Sequence, residues 1–227
     1  MNNPIIYYGY LRDFKAENLY RDLNVGERKR ADQFLLSDDR NLFIVSRFFL
    51  KKILSEYLKV DINEIQINYG TFGKPYIDNM KDIRFNIAHS KELFVIALIK
   101  SLNIGVDIEN KERNFSWDKL SEILFTRNEL KIFNDSDKNT KGEVFINCWT
   151  RKEAVLKAKG TGLSIPFKEF EVSFLKEEKL EILTAKWPDF EKREWSLFSF
   201  DIRDDYRGAL AVQGDVDAYT LIRVLEL

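Results

Sequence analysis

The chain has 227 residues, 44% hydrophobic and 32% charged, with 18 Phe and 9 Tyr to fill interiors, enough for one large domain or two small ones. Its formal net charge of -1 gives no global basic field for nucleic acid or an anionic membrane, and a single cysteine, Cys148, rules out an internal disulfide and a Cys-based zinc site. Met1 to Ile6 lacks the basic flank and apolar core of a signal peptide, and the apolar run Leu93 to Ile99 is too short to span a bilayer, so a cytoplasmic protein is expected.

Ile5 to Tyr10 reads as a first strand. From Glu27 to Leu58 apolar residues recur at threes and fours, which predicts helix, with a break near Ser37-Asp38-Asp39 and Ser37 or Asp38 as the N-cap of the second segment. Most basic residues here, Arg30 and Lys51 among them, read as a solvated face. Arg47 differs, because it interrupts the apolar run Ile44 to Leu50, where a guanidinium requires an anionic partner.

Ile65 to Asn68 reads as a short strand and Tyr69 to Pro75 as a loop, with Lys74 held between Gly73 and Pro75. Phe85-Asn86-Ile87-Ala88-His89-Ser90 reads as a polar, turn-like setting for His89, the only histidine, ahead of the strand Leu93 to Ile99.

In Asn103 to Glu109, Ile104, Val106 and Ile108 alternate with Gly105, Asp107 and Glu109, the period of a half-buried strand. Same-face residues two apart lie roughly 7 Å apart along such a strand, so both carboxylates can reach one hard cation from its solvent face. Trp117 to Phe133 reads as a helix, Asn134 to Gly142 as a mobile surface loop, and the last third as strands at 171–174, 195–202 and 209–212.

Gly142 to Lys159 is the most informative helix. Ile146, Trp149, Glu153 and Leu156 share one face, so Glu153 stands on an apolar stripe and needs a cation or a strong donor. Lys157 follows at i+4; an ordinary helix pair worth roughly 0.2–0.5 kcal/mol explains that spacing but not the placement of Glu153. Asp107, Glu109 and Glu153 together form an all-oxygen set suited to Mg²⁺ or Mn²⁺ rather than zinc. Such an ion works on phosphates, with His89, Lys74 and the basic helix as anion partners.

The blocks Phe85 to Ser90, Gly105 to Glu109 and Trp149 to Lys157, with Gly73-Lys74-Pro75 upstream and Gly160-Thr161-Gly162-Leu163 downstream, resemble the signatures of 4'-phosphopantetheinyl transferases of the longer, surfactin-synthetase-activating type. The resemblance covers about residues 20–175. It implies an α+β pseudo-dimer of two similar α/β halves, 1–102 and 103–227, with the active site in the cleft between them. It implies transfer of the phosphopantetheine arm of coenzyme A to a serine of an apo acyl or peptidyl carrier protein, which would dock near Trp117 to Phe133, by a monomeric enzyme without nucleic-acid or membrane partners.

By the same resemblance Asp107, Glu109 and Glu153 hold Mg²⁺. Glu153 takes the serine proton, Lys157 serves the leaving phosphate, His89 and Lys74 bind coenzyme A phosphates, and Arg30 and Arg47 lie in the same pocket. Ala88 stands where the family usually has Ser, which removes one hydroxyl near the phosphates, worth roughly 0.5–1.5 kcal/mol. Two rival readings are a metal-dependent phosphodiesterase or nuclease and a non-catalytic carrier-binding module. The near-neutral charge opposes the first, and the presence of all three acids with Lys157 opposes the second.

Overall fold

The computed structural model describes residues 3–78, 82–112, 116–175, 180–188, 190 and 194–226. The chain opens with strand β1 (Ile5–Tyr10), the helices α1 (Ala16–Tyr20), α2 (Val25–Ala31) and α3 (Ser37–Leu58), and the short hairpin β2 (Asn68–Tyr69) and β3 (Pro75–Tyr76). The hairpin β4 (Ile83–Ser90) and β5 (Leu93–Lys100) then completes an antiparallel sheet in the order β1-β5-β4.

The second part repeats this plan. Strand β6 (Asn103–Asn110) is followed by α4 (Trp117–Leu124), α5 (Arg127–Asp135) and α6 (Lys141–Lys159), then by the side hairpin β7 (Phe170–Val172) and β8 (Ile182–Ala185). The hairpin β9 (Trp195–Ile202) and β10 (Tyr206–Gln213) closes a second sheet in the order β6-β10-β9. In both sheets the first strand lies beside the third, and the third beside the second. Strand β11 (Thr220–Arg223) then returns to the first sheet and pairs parallel with β1, Ile5 opposite Thr220.

Burial explains the layering. Strand β5 is apolar along its length and points Phe94, Ile96 and Leu98 at α3, with Val95, Ala97 and Ile99 at the second sheet. Ile104, Val106 and Ile108 of β6 meet them in one apolar cluster between the sheets. Helix α6 covers the outer face of the second sheet, where Ala209 and Ala211 of β10 form a low floor beneath it. The order of layers is helix, sheet, sheet, helix, an α+β architecture.

Several sequence expectations change. The second long helix begins at Ser37 after Leu36, which makes no side-chain cap, so neither Ser37 nor Asp38 is the N-cap. Lys51 is buried rather than solvated, 3.4 Å from Glu27. The helix expected over Trp117 to Phe133 is two helices, because Thr126 and Glu129 form a capping box that starts α5. The loop at 134–142 is shorter than expected, since α5 runs to Asp135 and α6 starts at Lys141. Residues 83–90 are a regular strand and not a turn. A strand that buries polar residues such as Asn86 and Ser90 looks, in sequence, like a loop. No helix among the described residues is long and apolar enough to cross a membrane.

Candidate active site

Gly105 sets the site. A Cβ there would lie 2.0 Å from the Ala154 carbonyl oxygen and 2.3 Å from the Ala158 nitrogen, so only glycine lets α6 lie directly on β6. The face carrying Gly105, Asp107 and Glu109 is therefore covered by the helix. The expected solvent face is corrected: Asp107 is 6% and Glu109 7% exposed.

That contact brings Lys157 Nζ within 2.6 Å of Asp107 Oδ1, where it donates a hydrogen bond. Asp107 Oδ2 is buried without a partner. Burial raises the Asp107 carboxyl to about 7, Lys157 opposes the rise, and the charges of Glu153 and Glu109 add to it. Glu153 is also raised, by burial first and by Glu109, against the pull of Lys157. Burial pushes the Lys157 ammonium down, but Asp107, Glu153 and Glu109 together outweigh it and its pKa is raised. The four groups thus form one electrostatic cluster with a protonated lysine in its midst.

Glu153 does not face the core, as its stripe suggested. It, Lys157 and Trp149 are the half-buried exceptions on a helix otherwise buried nearly all round, from Val144 to Ala158. Glu153 and Lys157 line a cleft of about 270 Å³ together with Phe72, Lys74, Asn86 and Ile87. The cleft is shared between the two parts of the chain, with the β2–β3 hairpin and β4 on one side and α6 on the other.

Strand β4 is joined to β6 by side chains. Asn86 Oδ1 accepts from the Val106 N–H at 2.9 Å. Ser90 Oγ donates to Glu109 Oε2 at 2.8 Å and accepts from the Asn110 N–H at 3.1 Å. The roles of Asn86 and Ser90 were missed in the sequence. The signal was their i, i+4 spacing on a strand, which puts them on one face opposite Phe85, Ile87 and His89.

The residues expected to bind anions are more dispersed than the sequence suggested. His89 is exposed on β4 and does not line the cleft. Ala88 points the other way, into the apolar cluster between the sheets, and is 4% exposed. Arg47 is buried; its Nη2 donates to the Tyr69 hydroxyl, while Nε and Nη1 are buried without a partner. Burial lowers its pKa. Arg30 is exposed and lies 4.2 Å above the Tyr69 ring centroid, so the two arginines gather around Tyr69. Lys74 spends its ammonium on protein carbonyls.

The acids fit a hard divalent cation in their chemistry. They are oxygen donors at adjacent positions, they repel one another, and one buried carboxylate oxygen is left unsatisfied. They are not gathered into a closed ligand set: among the described residues no group of three or more His, Cys, Asp or Glu side chains stands ready to hold a metal.

Residues 103–211 match the model of the 4'-phosphopantetheinyl transferase superfamily, and residues 13–101 match that of the 4'-phosphopantetheinyl transferase N-terminal region. The 4'-phosphopantetheinyl transferase HetI of Nostoc is 28% identical over 203 residues, covering 88% of this chain and 82% of the relative. The 4'-phosphopantetheinyl transferase Sfp of Bacillus subtilis is 28% identical over 156 residues, 69% of this chain and 68% of the relative. Among solved structures, a Bacillus anthracis holo-(acyl-carrier-protein) synthase in complex with CoA (3',5'-ADP) aligns with 50% of this chain and 98% of its own, at 24% identity and a TM-score of 0.41. With both parts of its length matched by models of the same kind, the chain belongs to the 4'-phosphopantetheinyl transferase superfamily and is a transferase.

Proposed function

We propose that the protein moves the 4'-phosphopantetheine arm of coenzyme A onto a serine of an apo acyl or peptidyl carrier protein. The observation that carries this reading is the Glu153–Lys157 pair on α6, which lines a cleft shared by both parts of the chain and is coupled to Asp107 and Glu109 on β6. Residues 1–102 would hold coenzyme A, and residues 103–227 would supply the acids and the docking surface, with β11 returning to brace the first sheet.

In this reading Glu153 is the general base. Its raised pKa keeps it able to accept the serine proton while it is held beside a cation. The serine oxygen bonds to the phosphorus that carries pantetheine, and the bond from that phosphorus to the bridging oxygen breaks. Adenosine 3',5'-bisphosphate leaves with the electron pair. Lys157, held protonated by its acidic neighbours, faces the charge that develops on the leaving oxygen. Mg²⁺ held by Asp107, Glu109 and Glu153 would supply neutralisation of the pyrophosphate. The buried guanidinium of Arg47, with Arg30 beside it and His89 on β4, would take the remaining phosphate charge.

The carrier would dock along α4 and α5, where Ile123 is 66% exposed on an otherwise amphipathic helix. A monomeric, cytoplasmic enzyme is the form this reading implies. The test is Glu153→Gln. Turnover on an apo carrier should fall about 10²-fold or more with coenzyme A affinity held, as for loss of a general base. A variant that turns over normally would remove Glu153 from this role.

A further inference from the structure

Lys74 departs from the role its position in the motif implies. Its Nζ donates to the carbonyl oxygens of Lys157 at 2.6 Å, Ile104 at 3.0 Å and Ala158 at 3.1 Å. An ammonium has three N–H donors, and all three are spent. The Lys157 and Ala158 carbonyls belong to the last turn of α6, where the helix leaves them unsatisfied and where a cation is favoured by the helix dipole. Ile104 lies at the start of β6. One side chain from the β2–β3 hairpin therefore ties together the two elements that carry Asp107, Glu109, Glu153 and Lys157.

The path to this position is built in. Gly160 ends α6 in the left-handed conformation at φ +71°, and a Cβ there would meet Lys74 Cδ at 3.2 Å. The stem of Lys74 passes through the space a larger residue would fill. Burial, with the charge of Arg84 adding, lowers the Lys74 pKa to about 8, so the ammonium form still prevails at neutral pH. For a phosphate to bind Nζ, at least one carbonyl would have to be released.

We infer that Lys74 is a positioning residue and not a phosphate ligand: it clamps the C-terminal end of α6 and the start of β6 to the hairpin that forms the opposite wall of the cleft. Its effect on transfer, which rests on the function proposed above, runs through the geometry of Glu153 and Lys157 rather than through affinity for coenzyme A.

Lys74→Met keeps most of the stem and removes the donors. The expected result is a kcat on an apo carrier lower by about 10²-fold, as for a displaced catalytic group, with the Kd for coenzyme A by calorimetry within about twofold of wild type. A Kd weakened tenfold or more with kcat retained would make Lys74 a phosphate ligand and overturn the inference. Wild-type protein that modifies no carrier would fail the transferase reading instead.

A second measurement needs neither the variant nor activity. Brief acetylation of wild-type protein, read by peptide mass spectrometry, compares Lys74 with buried Lys152 and with Lys186, whose side chain is 72% exposed. A clamped Lys74 is protected like Lys152 both with and without coenzyme A. Ready labelling that coenzyme A suppresses would contradict the clamp.

Discussion

Lys157 Nζ donates to Asp107 Oδ1 at 2.6 Å, a bond that joins helix α6 to strand β6 across fifty positions of sequence and leaves Asp107 Oδ2 buried and unpaired. This contact, with burial and the charges of Glu153 and Glu109, sets the protonation of the cluster. It keeps one cation among the acids and leaves one oxygen turned to no partner. Lys157→Met should therefore do more than remove the proposed leaving-group partner. Turnover should fall about 10²-fold or more, as when a preorganised electrostatic donor is deleted, and steady-state assay on an apo carrier checks this. Unchanged turnover would separate the ion pair from the chemistry.

The approach of α6 to β6 depends on Gly105. In Gly105→Ala the new Cβ meets backbone atoms at 2.0 and 2.3 Å, which no side-chain rotation can relieve. The expected cost is at least the roughly 1–3 kcal/mol of core overpacking, measured as a lower urea midpoint with unchanged slope. A variant as stable as wild type would mean that the helix does not rest on this strand.

Asp107 carries the pH dependence. Its folded-state pKa of about 7 lies above the ordinary 3.8, so between these values the folded chain binds the proton more readily than the unfolded one. Its contribution to stability is full at low pH and is lost as pH rises through about 7 in metal-free protein. Metal ligation needs the deprotonated carboxylate and has the opposite sign. The rise in Tm produced by Mg²⁺ should thus be larger at about pH 8 than at about pH 6, by scanning calorimetry. Equal shifts at both would exclude Asp107 as the titrating ligand.

Lys152 and Glu129 form a second ion pair, 2.7 Å apart and almost wholly buried. Lys152 also donates to the Phe167 and Phe170 carbonyls, and Glu129 accepts from the Thr126 and Val172 N–H groups, so α5, α6 and β7 meet there. Removing either partner alone should cost about 3–5 kcal/mol, because it strands a buried charge, while replacing both with apolar residues should cost much less. A double-mutant cycle by urea unfolding measures the difference. Additive losses would show that the two charges are held independently.

The acids of β6 were legible because strand alternation is a local property, and Arg47 was legible because a guanidinium in an apolar run must be buried. That a helix covers the face those acids share was not. A strand face that is polar because water lies on it and one that is polar because a site lies on it have the same pattern; only Gly105, read as a contact, distinguishes them. The carbonyl partners of Lys74 were not legible for a related reason. Its acceptors are carbonyls, which have no signature in sequence, and two of them lie more than eighty residues away. Ala88 and His89 were read as neighbours in a turn, whereas the strand sends their side chains to opposite faces.

Intact-mass spectrometry of an apo peptidyl or acyl carrier domain incubated with this protein, coenzyme A and Mg²⁺ tests the proposed transfer. The proposed transfer predicts a gain of one phosphopantetheine unit, lost with EDTA and in Glu153→Gln. No gain on any carrier, together with no coenzyme A binding by calorimetry, would contradict it.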